Sequence, residues 1–134
     1  MATPIGTDSH ARHNVLVVDD YTDTRDAIVG MLQAKGFDVG GAPSGPDALD
    51  MLQAGLRPCV MLLDVRMPGM DGWEVWERLR AHRELAQTAV VILSAEAADS
   101  ARAQRVGIRE FLRKPVHGLE LVSAVERHCN RRES

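Results

Sequence analysis

The sequence predicts an α/β fold in which five strand–helix repeats wind into a parallel five-stranded sheet with helices on both faces. Three observations predict it. Apolar runs of strand length alternate five times with stretches of helical period, and such alternation builds βαβ units around a parallel sheet. The run Val60-Met61-Leu62-Leu63 is continuously apolar, as a strand covered on both faces should be. Two strand-like runs also end in acid: Val15-Leu16-Val17-Val18 leads into Asp19-Asp20, and Val60-Met61-Leu62-Leu63 into Asp64.

Residues 1 to 13 carry Thr3-Pro4 and Gly6-Thr7-Asp8-Ser9 without an apolar period, so they read as a flexible leader in which His10 and His13 are solvated. A first strand is expected at 14 to 18 and a first helix at about 22 to 35. That helix has Ala27, Ile28, Met31 and Leu32 on one face and Gly36 at its end. The second strand is expected at 37 to 42. The second helix begins at Ser44, whose side chain can cap it with Asp47 three positions on. Pro46 falls in its first turn, where a missing N–H is tolerated, and Gly55 stops it after about Gln53. The third strand is expected at 59 to 63, the third helix at 72 to 81 and the fourth strand at 88 to 93. The fourth helix follows at 96 to 106, a short fifth strand at 109 to 112 and the last helix at 118 to 129. The domain is thus expected over 14 to 130, with 131 to 134 a short tail and no output domain after it.

Composition narrows the classes of function. At 134 residues and 45% hydrophobic content the chain suits one domain with its own core. The net charge of −3 is unevenly spread: residues 1 to 94 hold 8 basic and 13 acidic groups, and residues 95 to 134 hold 8 and 6. The later basic residues, Arg102, Arg105, Arg109, Arg113, Lys114, Arg127, Arg131 and Arg132, are scattered among acids rather than gathered into a basic face, so no direct nucleic-acid binding is expected. Cys59 and Cys129 have no CxxC or Cys/His spacing and are expected to be reduced thiols. No apolar run approaches the roughly 18 to 20 residues that span a bilayer, and the N-terminal residues lack the apolar core expected of a signal peptide. The expectation is a soluble, cytoplasmic protein without a membrane partner.

In open parallel sheets ligands bind outside the carboxyl ends of the strands, and a common five-strand order is 2-1-3-4-5. That order makes the first and third strands neighbours and brings Asp19 and Asp20 beside Asp64. Clustered carboxylates oppose one another's ionisation. A divalent cation relieves the conflict, and Mg2+ typically takes one or two protein carboxylates while keeping positions for water and phosphate oxygens. With Ser94 and Lys114 ending later strands, the site reads as metal plus phosphoryl.

The set Val17-Val18-Asp19-Asp20, Leu62-Leu63-Asp64-Val65-Arg66-Met67-Pro68-Gly69-Met70-Asp71-Gly72, Leu93-Ser94-Ala95 and Phe111-Leu112-Arg113-Lys114-Pro115 resembles the receiver domain of bacterial two-component response regulators, of the single-domain chemotaxis type. The resemblance spans roughly residues 14 to 130 and implies a flavodoxin-like (βα)5 sandwich. It implies Asp64 as phosphoacceptor from the phosphohistidine of a histidine kinase or phosphotransfer protein. Mg2+ would be held by Asp20 directly, by Asp19 largely through water, by Asp64 and by the backbone carbonyl of Arg66. Lys114 and Ser94 would contact the phosphoryl group, and a cis peptide before Pro115 would aim Lys114 into the site. Phe111 stands where the family often carries a switch aromatic, frequently tyrosine; without a hydroxyl, its movement would rest on packing alone, and a plain core role is the alternative.

By the same resemblance the protein is a phosphorylation-driven switch that assists its own phosphorylation and dephosphorylation rather than a turnover enzyme. The output surface would be the face made by the fourth helix, fifth strand and fifth helix, which is also the candidate surface for a homodimer and for an unknown downstream partner. Arg66 and Glu96, two residues after Asp64 and Ser94 respectively, are expected to modulate phosphoryl lifetime by pairing with each other across the path of water, with two solvated side chains as the alternative. Trp73, Trp76 and Leu79 form a stripe on the third helix that reads as core packing, with partial exposure as the alternative. Other readings are a receiver module of a hybrid histidine kinase, a phosphorelay intermediate and a phosphorylation-independent interaction module. A small hydrolase with an Asp nucleophile would need a cap or substrate pocket for which 134 residues leave no obvious room.

Overall fold

A computed structural model describes residues 14–129. Five strands, β1 (Asn14–Val18), β2 (Asp38–Ala42), β3 (Val60–Asp64), β4 (Ala89–Ser94) and β5 (Glu110–Arg113), alternate with five helices. These are α1 (Thr22–Ala34), α2 (Gly45–Gln53), α3 (Gly72–Ala81), α4 (Ala98–Val106) and α5 (Gly118–Cys129). The strands form one parallel sheet in the order β2-β1-β3-β4-β5. The leader with His10 and His13, and the tail with Arg131 and Arg132, lie outside the described residues.

Alternation along the central strands sorts the core into two layers. Leu16, Val18, Met61, Leu63 and Ile92 point to the side covered by α2, α3 and α4, where they meet Leu52, Trp73, Val75, Leu79 and Ala103. Val15, Val17, Leu62, Val91 and Leu93 point to the other side and meet Ile28 and Leu32 of α1 and Leu121, Ala124 and Val125 of α5. All five residues of β3 are buried, as its continuous apolar run requires when both faces are covered.

Local chemistry sets the helix ends. Ser44 Oγ accepts the Asp47 N–H at 3.2 Å and donates to the Asp47 carboxylate at 2.8 Å, with proline in the first turn of α2. Asp71 accepts the Glu74 N–H at 3.0 Å and caps α3. Gly36, at φ 95°, takes the left-handed turn that ends α1. The last carbonyl of α4, on Val106, accepts bonds from Trp76 Nε1 at 3.3 Å and Arg80 at 3.1 Å. Trp73 is buried and lies under the Arg102 guanidinium, 4.5 Å from the ring centroid, whereas Trp76 is half-buried. The stripe is therefore mostly core, and it also ties α3 to α4.

Several boundaries and the state of the two cysteines differ from expectation. β3, β4 and β5 each end one residue later than hydropathy suggests, because Asp64 stays in register with Leu93, and Ser94 with Arg113. α4 begins at Ala98 rather than 96, since Ser94 Oγ accepts the Glu96 N–H at 3.0 Å and holds the chain in a turn before the helix. The expectation of two reduced thiols is overturned: Cys59 and Cys129 form a disulfide, with Cα atoms 5.2 Å apart. The end of α5 packs over the start of β3, so two cysteines separated by 70 positions meet in the second core layer.

Candidate phosphoryl and metal site

The site lies at the carboxyl ends of β1, β3, β4 and β5. Parallel pairing of Val18 with Leu63 places the residues that follow, Asp19 and Asp64, side by side. One carboxylate oxygen from each of Asp19, Asp20 and Asp64 lies within 4.8 Å of the other two. Asp19 and Asp64 are buried and Asp20 is exposed, so the cluster opens to solvent on one side. Lys114, reaching across from the end of β5, donates to Asp64 Oδ1 at 3.1 Å and to Asp19 Oδ2 at 3.3 Å. The Lys114–Pro115 peptide is cis.

Burial pushes the Asp64 carboxyl above the ordinary carboxylate range, and the Asp19 charge adds to this, against the opposing pull of Lys114 and of the Arg66 backbone N–H. For Lys114, burial acts to lower the ammonium, but the two carboxylates outweigh it and the net shift is upward. The asymmetry follows from position: the Asp64 side chain is 6% exposed and Lys114 25%, and Lys114 sums attraction to two acids. The cluster thus sets three acid side chains against one ammonium, and a divalent cation bound there would supply positive charge. An oxygen spread of up to 4.8 Å suits Mg2+ held directly by one or two of the acids and through water by the third.

The backbone that presents Asp64 is crowded. A Cβ on Gly72 would come within 2.7 Å of the Asp64 carbonyl oxygen and 2.9 Å of Val65 Cα, so the first turn of α3 packs directly on the main chain of Asp64 and Val65. The Gly72 N–H also donates to the Val65 carbonyl at 3.0 Å. This close approach explains a glycine at the end of the loop that begins with Asp64.

A profile of the response regulator receiver domain family matches residues 15–126. The chain belongs to that family. It is 34% identical over 130 residues to the two-component response regulator ORR6 of Oryza sativa subsp. japonica, covering 94% of this chain and 74% of that one. Among solved structures it is similar to the chemotaxis protein CheY4 of Vibrio cholerae, with a TM-score of 0.79 and 30% identity over 86% of this chain and 97% of that one. It is likewise similar to a putative response regulator from Chloroflexus aurantiacus, with a TM-score of 0.82 and 28% identity over 89% and 98% of the two chains. The fold is accordingly the flavodoxin-like fold of these receivers, and the protein is a receiver domain of two-component signalling. Receiver domains are phosphoacceptor switches that bind Mg2+ in an acidic pocket and interact with histidine kinases and effectors. Among the described residues no helix is long and apolar enough to cross a membrane.

The remaining site residues fall as follows. Ser94 is fully buried at the end of β4. Phe111 is half-buried, opposite Ile92, and packs on the first core layer. Arg66 does not pair with Glu96. It makes two bonds, 3.0 and 3.1 Å, to the buried carboxylate of Asp99, while exposed Glu96 gives its backbone N–H to Ser94. Asp99 wins because it presents both oxygens from the first turn of α4, inside the fold. Sequence reasoning passed over Asp99, which reads only as an acid suited to a helix N-terminus. It also passed over Arg25, which donates to the Asp19 backbone carbonyl at 2.8 Å from α1.

Proposed function

We propose that Asp64 accepts the phosphoryl group from a phosphohistidine of a kinase or phosphotransfer partner and that the resulting acyl phosphate resets the surface around α4, β5 and α5. A carboxylate oxygen of Asp64 attacks phosphorus, the phosphorus–nitrogen bond breaks and the electron pair returns to the imidazole. The observation that carries this reading is the pairing of Lys114 with both Asp64 and Asp19 beside an acid cluster of metal-binding dimensions. Phosphoryl transfer is mostly positioning and charge neutralisation. Asp20, Asp19, Asp64 and the Arg66 carbonyl would hold Mg2+, which would neutralise charge on the transferring oxygens. Lys114 is placed to move from the Asp64 carboxylate to a phosphoryl oxygen, and Ser94 to donate its hydroxyl to another. Arg66 and Glu96 flank the acceptor as candidates for tuning the lifetime of the acyl phosphate.

An open apolar groove of about 600 Å3, lined by Ala27, Ile28, Met31, Pro115 and Val116, adjoins Lys114 and leaves room for a protein donor beside the acid cluster. The output reading is supported by the bonds that lead from the site into the α4 end: Ser94 to Asp99, and Arg113 Nε to the Ala95 carbonyl at 3.0 Å.

Intact-mass spectrometry after incubation with acetyl phosphate, with and without Mg2+, tests the proposal. The expected result is a Mg2+-dependent gain of one phosphoryl group that Asp64→Asn abolishes. No gain under conditions that label another receiver would assign the chain to phosphorylation-independent binding.

A further inference from the structure

Ser94 and Asp99 are joined by a short hydrogen bond beside the acid cluster. Ser94 Oγ donates to Asp99 Oδ2 at 2.6 Å and accepts the Glu96 N–H at 3.0 Å. Asp99 in turn takes two bonds from the Arg66 guanidinium at 3.0 and 3.1 Å. Ser94 is fully buried and Asp99 nearly so, which favours a short charge-assisted bond.

A serine hydroxyl has one hydrogen to give. A carboxylate and a phosphoryl oxygen are both pure acceptors, so Ser94 can serve Asp99 or a phosphoryl group on Asp64, but not both. Arg66, two residues after Asp64, is held on the α4 side because its Nη2 bonds both Asp99 oxygens.

We infer that Asp99 is a latch: a positioning residue that competes with the phosphoryl group for the single hydroxyl proton of Ser94 and, through Arg66, ties the acceptor loop to the first turn of α4. The inference rests on the reading of Asp64 as acceptor. Phosphorylation then has to break a buried charge-assisted hydrogen bond before Ser94 turns inward, and the broken bond frees the start of α4. Coupling between site and surface runs through a side chain of α4 itself.

The test uses beryllofluoride, a tetrahedral analogue of a phosphoryl group on a carboxylate, titrated in excess Mg2+ and followed by 19F NMR of the bound anion. Asp99→Ala is expected to bind it about tenfold more tightly than wild type, the scale of one charge-assisted hydrogen bond no longer in competition. Asp99→Asn keeps the side chain's shape and a neutral acceptor, and is expected to give a smaller gain; it serves if the alanine variant folds poorly. In a Ser94→Ala background the gain from Asp99→Ala should largely vanish, which a merely structural or bulk-charge role would not produce. Equal or weaker binding by both Asp99 variants, or a gain that persists without Ser94, overturns the latch while leaving Asp64 as acceptor. No bound signal from wild type overturns the acceptor reading and the latch with it.

Discussion

Lys114→Met removes the ammonium that stands between two buried carboxylates and keeps the aliphatic stem. Lys114 Nζ bonds Asp64 at 3.1 Å and Asp19 at 3.3 Å, and the latter residues are 4% and 0% exposed respectively. Breaking a fully buried pair costs roughly 3–5 kcal/mol. The quarter exposure of the Lys114 side chain brings solvent to one partner and reduces the expected cost to about 2 kcal/mol. In urea denaturation with EDTA, at a slope of about 1.5 kcal/mol per molar, the midpoint should fall by ~1.3 M. Mg2+ should then stabilise the variant more than wild type, because the uncompensated acids attract the cation more strongly.

The pH dependence has a definite sign. Burial and the Asp19 charge raise the Asp64 carboxyl in the folded state, so the native form binds a proton more readily than the unfolded chain. The contribution of Asp64 to stability therefore improves as pH falls through the interval between the raised value and the ordinary one. Losing Lys114 removes a lowering influence and enlarges this effect. The gap between wild type and Lys114→Met should be widest at neutral pH and should close as Asp64 protonates. The raised Lys114 contributes stability that is complete below the ordinary lysine value and is lost as pH rises through the folded value, so the gap also closes in strong alkali. A variant within about 0.5 kcal/mol of wild type in EDTA at neutral pH, or equal stabilisation of both by Mg2+, would refute this account of the site's electrostatics.

Gly72→Ala should destabilise the fold by about 2 kcal/mol and weaken Mg2+ binding, since the new Cβ would press on the main chain of Asp64 and Val65; Mg2+-dependent stabilisation in urea titrations reads both effects, and an unchanged response would count against the close approach. Reduction of Cys59–Cys129, which closes a loop of 70 residues, should cost about 4 kcal/mol; the check is the urea midpoint with and without reductant, after mass spectrometry has verified the redox state. Asp71→Ala should cost about 1 kcal/mol through loss of the α3 cap without altering the Mg2+ titration, so that a large change in metal affinity would mean the cap also positions the loop.

The order of elements and the placing of the acids were legible because each rests on a local pattern. A continuous apolar run at Val60–Leu63 marks a strand covered twice, and an acid after it marks the open end of the sheet. Strand ends were misjudged by one residue since hydropathy sees Asp64 and Ser94 as polar, whereas parallel pairing holds them opposite Leu93 and Arg113. The partner of Arg66 was not legible for a related reason. Glu96 and Asp99 are both acids after Ser94, and only the turn that Ser94 makes with the Glu96 N–H decides which of them enters the fold. The disulfide depends wholly on tertiary packing, because nothing at positions 59 or 129 announces the other.

One ion pair and one charge-assisted hydrogen bond at the site restrain the two sides of the same event. Lys114 is committed to Asp64 and Asp19, and Ser94 to Asp99, so each group proposed to stabilise a phosphoryl oxygen already has an anionic partner. A phosphoryl group on Asp64 supplies negative charge and three acceptor oxygens at one point, and it can draw Lys114 and Ser94 together only by displacing those partners. The free energy available to the switch is the difference between the new contacts and the old ones. Weakening Asp99 should lower the barrier to the on arrangement from the α4 side, and weakening the Lys114 contacts should not substitute for it, because Lys114 bonds residues at the ends of β1 and β3 while Asp99 belongs to α4. Signal strength in this domain should therefore respond to Asp99 more directly than to the charge balance of the acid cluster.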